Sequence, residues 1–357
     1  MGEFPSLDRW ARQRLAGGCV IPAHPLALTD EGQFDVRRQR ALTRYYAAAG
    51  AGGVAVAVHA TQFGIRNPAV GLLQPVLQCA SETLDEIERS GGPRLLRIAG
   101  VCGGTSQAIE EAALARDLGY HLGLLSLAAL ADAGDEKLIG HCRKVAGNLP
   151  LMGFYLQPAV GGRRLGFDFW RRFAGIPNVA GIKIAPFNRY MTLDVVRGVA
   201  AAGRAGDVAL YTGNDDNIIC DLLTRFDVQV EGRRISQRMV GGLLGHWAVW
   251  TRKAVEVFHR VQSHAGSETI PADLLALGAQ ITDGNAAVFD AANNFRGCIA
   301  GVQAVLAGQG LLASPRCLDP TETLSPGQGP EIERVRRQYP HLIDDDFVAA
   351  HLQEWLS

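Results

Sequence analysis

Lysine occurs at only four positions of this 357-residue chain, 137, 144, 183 and 253. Only Lys183 lies within an apolar run, VAGIKIA (179–185). A lysine amine with a pKa of about 10.4 is protonated and unreactive near neutral pH. An apolar wall disfavours the charged form and lowers that pKa. The neutral amine can then add to a carbonyl and form an imine. The imine withdraws electrons from the neighbouring C–H or C–C bond, so cleavage there needs no cofactor. Tyr155, in GFYLQPAVGG (153–162), offers a phenol for the proton transfers of imine chemistry. Taken alone, Lys183 is also compatible with a strand-end lysine that snorkels to water or pairs with a carboxylate. Tyr155 alone is equally compatible with an aromatic at a barrel rim.

Such groups have to be held by regular elements. Short apolar runs recur along the chain: CVIPAH (19–24), GVAVAVH (53–59), LLRIAGV (95–101), HLGLLSL (121–127), LMGFYL (151–156), VAGIKIA (179–185) and DVALYT (207–212), with a weaker run near RMVGGLL (238–244). Their lack of alternation suits parallel strands buried on both faces. Helical patterns lie between them, as in 35–50, where Asp35 is a candidate N-cap and Gly50 a candidate C-terminal stop. Segments 105–119 and 192–203 repeat the arrangement. Eight strand candidates alternating with helices predict an α/β protein, a (β/α)8 TIM barrel. No G-x-G-x-x-G follows the first run, which counts against a dinucleotide fold. Segments 247–262, 271–281 and 301–312 read as helices. The chain is therefore expected to divide into a barrel catalytic domain, 1–246, and a C-terminal helical extension, 247–357. In such barrels the chemistry sits at the C-terminal strand ends, which here carry His24, His59, Ser126, Tyr155, Lys183 and TGNDDN (212–217). Adjacent fifth and sixth strands would bring Tyr155 and Lys183 within reach of each other.

With these residues in order, the sequence resembles the dihydrodipicolinate synthase / N-acetylneuraminate lyase family of class I Schiff-base aldolases. The family pattern Y-x-x-P-x-x-x-G is matched by Tyr155, Pro158 and Gly162, and G-x-K by Gly181 and Lys183. VIPAHPLALTDEGQFD (20–35), IAGVCGGTSQAIEEAALARDLG (98–119) and LYTGNDD (210–216) resemble further family segments. The resemblance implies Lys183 as imine former and Tyr155 as proton relay. It implies that His59, Ala60 and Thr61 shape the carboxylate or carbonyl end of a substrate, and that Asn188, Gly213 and Asn214 contribute to the binding site; His24, which replaces an apolar residue of the family's first strand, is a further binding candidate by its strand-end position. It also implies a homo-oligomer, a dimer or tetramer. The sequence departs from the family at the second strand end, where VHATQ (58–62) replaces the usual G-T-T-G-E. His59 there could hold a carboxylate as a cation or fill space beneath a loop. Val160 stands where the synthase branch has an arginine, and LLSLAALADAG (124–134) lacks that branch's relay tyrosine.

Composition narrows the function classes. With 47% hydrophobic and 20% charged residues and a net charge of −1, nothing drives the chain towards nucleic acid or anionic membrane. Seven widely spaced cysteines without C-x-x-C point to free thiols in a reducing compartment. The N-terminus has no apolar signal segment, and no apolar run is long enough to span a bilayer, so the expected location is cytoplasmic. The first strand has one histidine rather than an H-x-H pair, so no metal site is expected. These observations predict a Schiff-base-forming lyase, an aldolase or hydro-lyase, acting on a small 2-oxo acid or related carbonyl compound without a cofactor. Dihydrodipicolinate synthase activity and a catalytically inactive metabolite-binding barrel are the alternatives.

Overall fold

The computed structural model describes residues 4–357; residues 1–3, with which the expected barrel domain begins, lie outside the described residues. After helix α1 (Arg9–Gly17) come β1 (Val20–Pro22), α2 (Val36–Ala49), β2 (Gly53–Val56), α3 (Leu73–Arg89), β3 (Leu96–Val101) and α4 (Thr105–Asp117). The alternation continues with β4 (Leu122–Leu125), α5 (Asp135–Ala146), β5 (Leu151–Leu156), α6 (Phe167–Ala174), β6 (Val179–Ala185), α7 (Arg189–Ala201), β7 (Ala209–Thr212) and α8 (Ile218–Leu223). A hairpin, β8 (Arg225–Val230) and β9 (Arg233–Leu244), follows. The chain then becomes helical: α9 (Thr251–His264), α10 (Ala272–Val288), α11 (Cys298–Gly308), α12 (Gln328–Gln338) and α13 (Asp345–Trp355).

The sheet order is β1-β9-β7-β6-β5-β4-β3-β2, with β8 paired only to β9, and a bridge joins Ala23 to Ala55. This is a (β/α)8 barrel with additional C-terminal helices. Its strands are short and apolar because each is covered on both faces; β3, β4 and β6 are buried throughout. The helix ends follow local chemistry. The Asp35 carboxylate accepts the Arg38 N–H, and Gly50 closes α2 in the left-handed conformation at φ 92°.

The hairpin is the element that the apolar runs do not announce. RFDVQV alternates polar and apolar residues, and its polar side is exposed. Its two-residue turn, Glu231-Gly232, has positive φ at both residues (49° and 77°), as a type I′ turn requires. The eighth barrel strand is thus the second half of a longer strand, β9.

By internal contacts the chain forms two interleaved units. The first comprises 1–19, 96–243 and 261–270. Within it, α6 packs on α7, and Gly198 of α7 leaves room for Trp170, whose Cβ would lie 2.8 Å from a Cβ added there. The second comprises 20–95, 244–260 and 271–357. There the Tyr45 hydroxyl of α2 donates to Asp344 at 2.7 Å and accepts the Thr251 N–H at 2.7 Å, tying three segments together.

Gly18 links α1 to the first unit's strands. At φ 79° it holds a conformation disfavoured for side chains, and a Cβ there would lie 1.8 Å from the Val240 carbonyl oxygen. Gly18→Ala therefore combines a backbone penalty with a clash against main chain. The expected outcome is destabilisation by more than about 1 kcal/mol, read as a lower urea midpoint. An unchanged midpoint would mean that α1 docks more loosely than its backbone indicates.

Candidate active site

The site is built on the pairing of β5 with β6. Leu151 pairs with Val179, yet Met152 pairs with Gly181, so β6 carries an extra residue, Ala180. Beyond this bulge Phe154 lies opposite Lys183 and Tyr155 opposite Ile184. Register partners share a face of the sheet, and neighbours along a strand take opposite faces. Lys183 accordingly shares its face with Phe154, and its Nζ stands over the Phe154 ring, 4.5 Å from the centroid. The lysine is 9% exposed.

Tyr155 is on the other face. Its ring packs against Trp170 of α6, with centroids 5.0 Å apart. Its hydroxyl donates to the Leu165 carbonyl at 2.9 Å and accepts the Leu165 N–H at 3.1 Å. Burial pushes the phenol's pKa up. The expected pairing of Tyr155 with Lys183 is therefore corrected: the bulge turns the tyrosine towards the helix layer and presents a phenyl ring to the amine. Had the offset of the first register pair continued, Tyr155 would have stood opposite Lys183.

Glycine makes room on the other side. β6 pairs with β7 so that Lys183 faces Tyr211, and Gly213 lies just beyond the end of β7. A Cβ at Gly213 would lie 2.6 Å from Lys183 Cε and 2.7 Å from Ala185 Cβ. Gly213 thus leaves space for the lysine stem. The Tyr211 hydroxyl donates to the Leu15 carbonyl at 2.8 Å, and burial raises its pKa well above the usual tyrosine value.

A buried carboxylate fixes the loops around this lysine. Asp221 of α8 accepts hydrogen bonds from the Thr212 hydroxyl (2.6 Å) and Asn214 Nδ2 (2.8 Å), and pairs with Arg189 at 2.6 Å. Asn214 Oδ1 in turn accepts the Phe187 N–H at 2.9 Å, which holds Phe187 at φ 51°, a conformation that non-glycine residues avoid. Asn214 was expected to bind substrate; both ends of its amide instead brace the loops after β6 and β7. Asn188, with the same expected role, is the N-cap of α7, its Oδ1 accepting the Met191 N–H at 3.2 Å. Burial raises the Asp216 carboxyl above its ordinary pKa. Sequence reading missed Phe154, Arg189 and Asp221; only their adjacency to the recognised motifs marked them.

In the second unit His24 is fully buried. Gln39 Oε1 accepts the Ala27 N–H at 2.8 Å, so the Gln39 amide group points at the Pro25 carbonyl (2.9 Å) and His24 Nδ1 (2.8 Å). Nδ1 therefore accepts, and Nε2 donates to Thr43 Oγ1 at 2.9 Å. This assignment follows from the network and fits a neutral imidazole, whose pKa burial lowers to about 4 against the 3.0 Å contact with the Pro25 oxygen. Both ring nitrogens of His24, an expected substrate contact, are hydrogen-bonded within the protein. The hydroxyl of Thr61, also an expected site residue, donates to the His24 carbonyl at 2.6 Å and accepts the Val58 N–H at 3.2 Å. His59, Ala60 and Thr61 form a single 3-10 turn, flanked by Ala57 and Gln62 at φ 59° and 68°. The half-buried His59 ring lies 5.9 Å from that of Phe63. His246, following β9, is also buried, and burial lowers its pKa to about 4.

No family model matches the chain, nor does any curated protein. Solved structures do. A dihydrodipicolinate synthase from Oceanobacillus iheyensis superposes with a TM-score of 0.73 at 15% identity, covering 92% of this chain and 98% of that one. A chloride-inhibited dihydrodipicolinate synthase from Acinetobacter baumannii, complexed with pyruvate, gives 0.72 at 20% identity, covering 91% and 98%. The N-acetylneuraminate lyase of Fusobacterium nucleatum gives 0.69 at 12% identity, covering 91% and 99%. The chain has the dihydrodipicolinate synthase fold. Within that fold it departs from the expected tyrosine–lysine pairing, as the β5–β6 register shows.

The neutral His24 network makes stability depend on pH. The unfolded chain takes up a proton there near pH 6.5, the folded chain only near pH 4. Stability is thus whole above about 6.5 and falls as pH drops towards 4, by up to about 3 kcal/mol. His246 adds loss in the same window. Urea midpoints measured from pH 7 to 4 should decline, and less steeply in His24→Asn; equal slopes would show that His24 does not stay neutral in the fold.

Proposed function

We propose that the chain is a Schiff-base-forming lyase, an aldolase or hydro-lyase, that acts on a 2-oxo acid or related carbonyl compound through Lys183. The observation that carries this reading is the setting of the lysine: nine-tenths buried, on the β6 face shared with Phe154, beside a glycine that makes room for its stem. A surface or snorkelling lysine would need neither. The neutral amine adds to the carbonyl carbon, and the carbinolamine takes up a proton on its hydroxyl and loses water to give the iminium. The iminium is the electron sink, so the reaction calls for no cofactor. Pyruvate, present in the Acinetobacter baumannii synthase structure, is the simplest 2-oxo acid to try first.

Tyr155 has no place in this scheme. The phenol faces α6 and Leu165, so water or the substrate's own groups carry the protons of carbinolamine formation and collapse. Dihydrodipicolinate synthase activity is the less favoured reading, because Val160 replaces the arginine of that branch and Phe154 replaces a phenol opposite the lysine.

Borohydride reduction in the presence of a panel of 2-oxo acids, followed by peptide mass analysis, tests the imine. A substrate adduct is expected on Lys183. Adducts on Lys137, Lys144 or Lys253, or on none, would sink the proposal. In the same assay Tyr155→Phe should trap at a rate within about twofold of wild type while losing about 1 kcal/mol of stability through its unpaired Leu165 partners. Gly213→Ala should fold yet trap at least about tenfold more slowly, since the added methyl occupies the space of the lysine stem. A large rate loss in Tyr155→Phe would restore the phenol as relay.

Condensation of pyruvate with aspartate semialdehyde, followed in a coupled assay, should be negligible. Robust turnover would make the chain a dihydrodipicolinate synthase that uses neither the arginine nor the phenol.

A further inference from the structure

We propose that the first unit carries a second binding site, for a small organic anion, at the N-terminal ends of β6 and β7 beside the middle of β9. This inference is independent of the imine chemistry. A cavity of about 310 Å³ opens there, a volume within the range of small-metabolite sites. Its apolar wall is made by Leu15, Ala180, Val208, Ala209 and Val240, and its polar side by Arg12, Arg225, Arg238 and Gln237.

Two bulges shape the cavity. Ala180 is the extra residue of β6 opposite β5. Val240 is the extra residue of β9 opposite β7, where Leu210 pairs with Met239 but Tyr211 with Gly241. Bulges re-aim the residues next to them, and these two flank β7 where its first residues line the cavity.

The charge there is not balanced. Arg225 is paired with Asp227 at 3.2 Å, and the lining Asp207 with Arg204 at 3.0 Å. No carboxylate among the described residues pairs with Arg12 or Arg238. Arg238 donates to the Leu222 carbonyl at 3.4 Å, while its buried Nε has no partner among the described residues. Burial alone moves its pKa, and downwards. Gln237 is 6% exposed; its Nε2 donates to the Val196 carbonyl at 2.9 Å, and its Oε1 is left without a partner among the described residues. Two uncompensated guanidinium groups over an apolar wall fit an anionic head, carboxylate or phosphate, on a short carbon body.

Isothermal titration of the full chain with butyl phosphate, butyrate and inorganic phosphate tests the site. Saturable binding of butyl phosphate or butyrate is expected, tighter than inorganic phosphate by at least about fivefold, and weaker by at least about tenfold in Arg238→Gln. The difference between the two organic probes identifies the head group. Arg12 is exposed, so Arg12→Gln leaves the fold intact and should also weaken binding should Arg238→Gln fail to fold. Lys183→Ala should bind as wild type does. Absence of saturable binding, affinity unchanged in both arginine variants, inorganic phosphate bound as tightly as the organic probes, or loss of binding in Lys183→Ala would each overturn the proposal.

Discussion

A single extra residue, Ala180, decides which side chains meet around Lys183. Side chains alternate along a strand, so one inserted residue exchanges everything beyond it between the two faces relative to the neighbouring strand. In β5 this exchange sends Phe154 to the lysine and Tyr155 to α6. The helix layer is built to receive the tyrosine. The Trp170 ring packs beside it at a tilt and the Leu165 main chain satisfies its hydroxyl twice. Gly153 on the same face has no Cβ, and one there would lie 2.6 Å from the Phe173 ring. The register is consequently held from the outside of the sheet as firmly as from the inside.

The loops that follow β6 and β7 depend on a second buried group, the Asp221 carboxylate. A charge in such a place is tolerable only when its oxygens are fully hydrogen-bonded or paired. Thr212, Asn214 and Arg189 supply that environment. Asn214 then extends the network to the strained Phe187 backbone. The polar residues of TGNDDN therefore stiffen the frame on which Lys183 and Gly213 are presented.

The barrel was legible in the sequence because strands buried on both faces must be apolar throughout, and the eight runs say so directly. Caps such as Asp35 and Gly50 were legible because their chemistry is local. The register was not. The one hint in VAGIKIA is Gly181 beside the bulge, but a lone glycine fixes neither the position nor the direction of a register shift, which appears only in the pairing with β5. Hence the motif Y-x-x-P-x-x-x-G was matched in letters while its tyrosine faced the wrong way. The β8–β9 hairpin escaped because its apolar residues are interleaved with arginines and its turn is Glu-Gly rather than the commoner Asn-Gly. For His24 a signal was present: Gln39 and Thr43 stand four residues apart on an otherwise buried helix face, the spacing of two groups that can serve one partner.

The ring over the lysine bears on the chemistry in a specific way. The face of Phe154 attracts positive charge, and at 4.5 Å it lies close enough to act on Nζ. In the proposed reaction the nitrogen is cationic before attack, as ammonium, and after dehydration, as iminium; it is neutral only as the free amine and the carbinolamine. The ring therefore favours both charged ends of the sequence over the neutral middle. A phenol, able to donate and accept protons, would instead assist the middle. Replacing it by phenyl exchanges help with proton transfer for help in holding the iminium. That exchange suits a reaction in which the bound iminium persists while the neighbouring bond is broken.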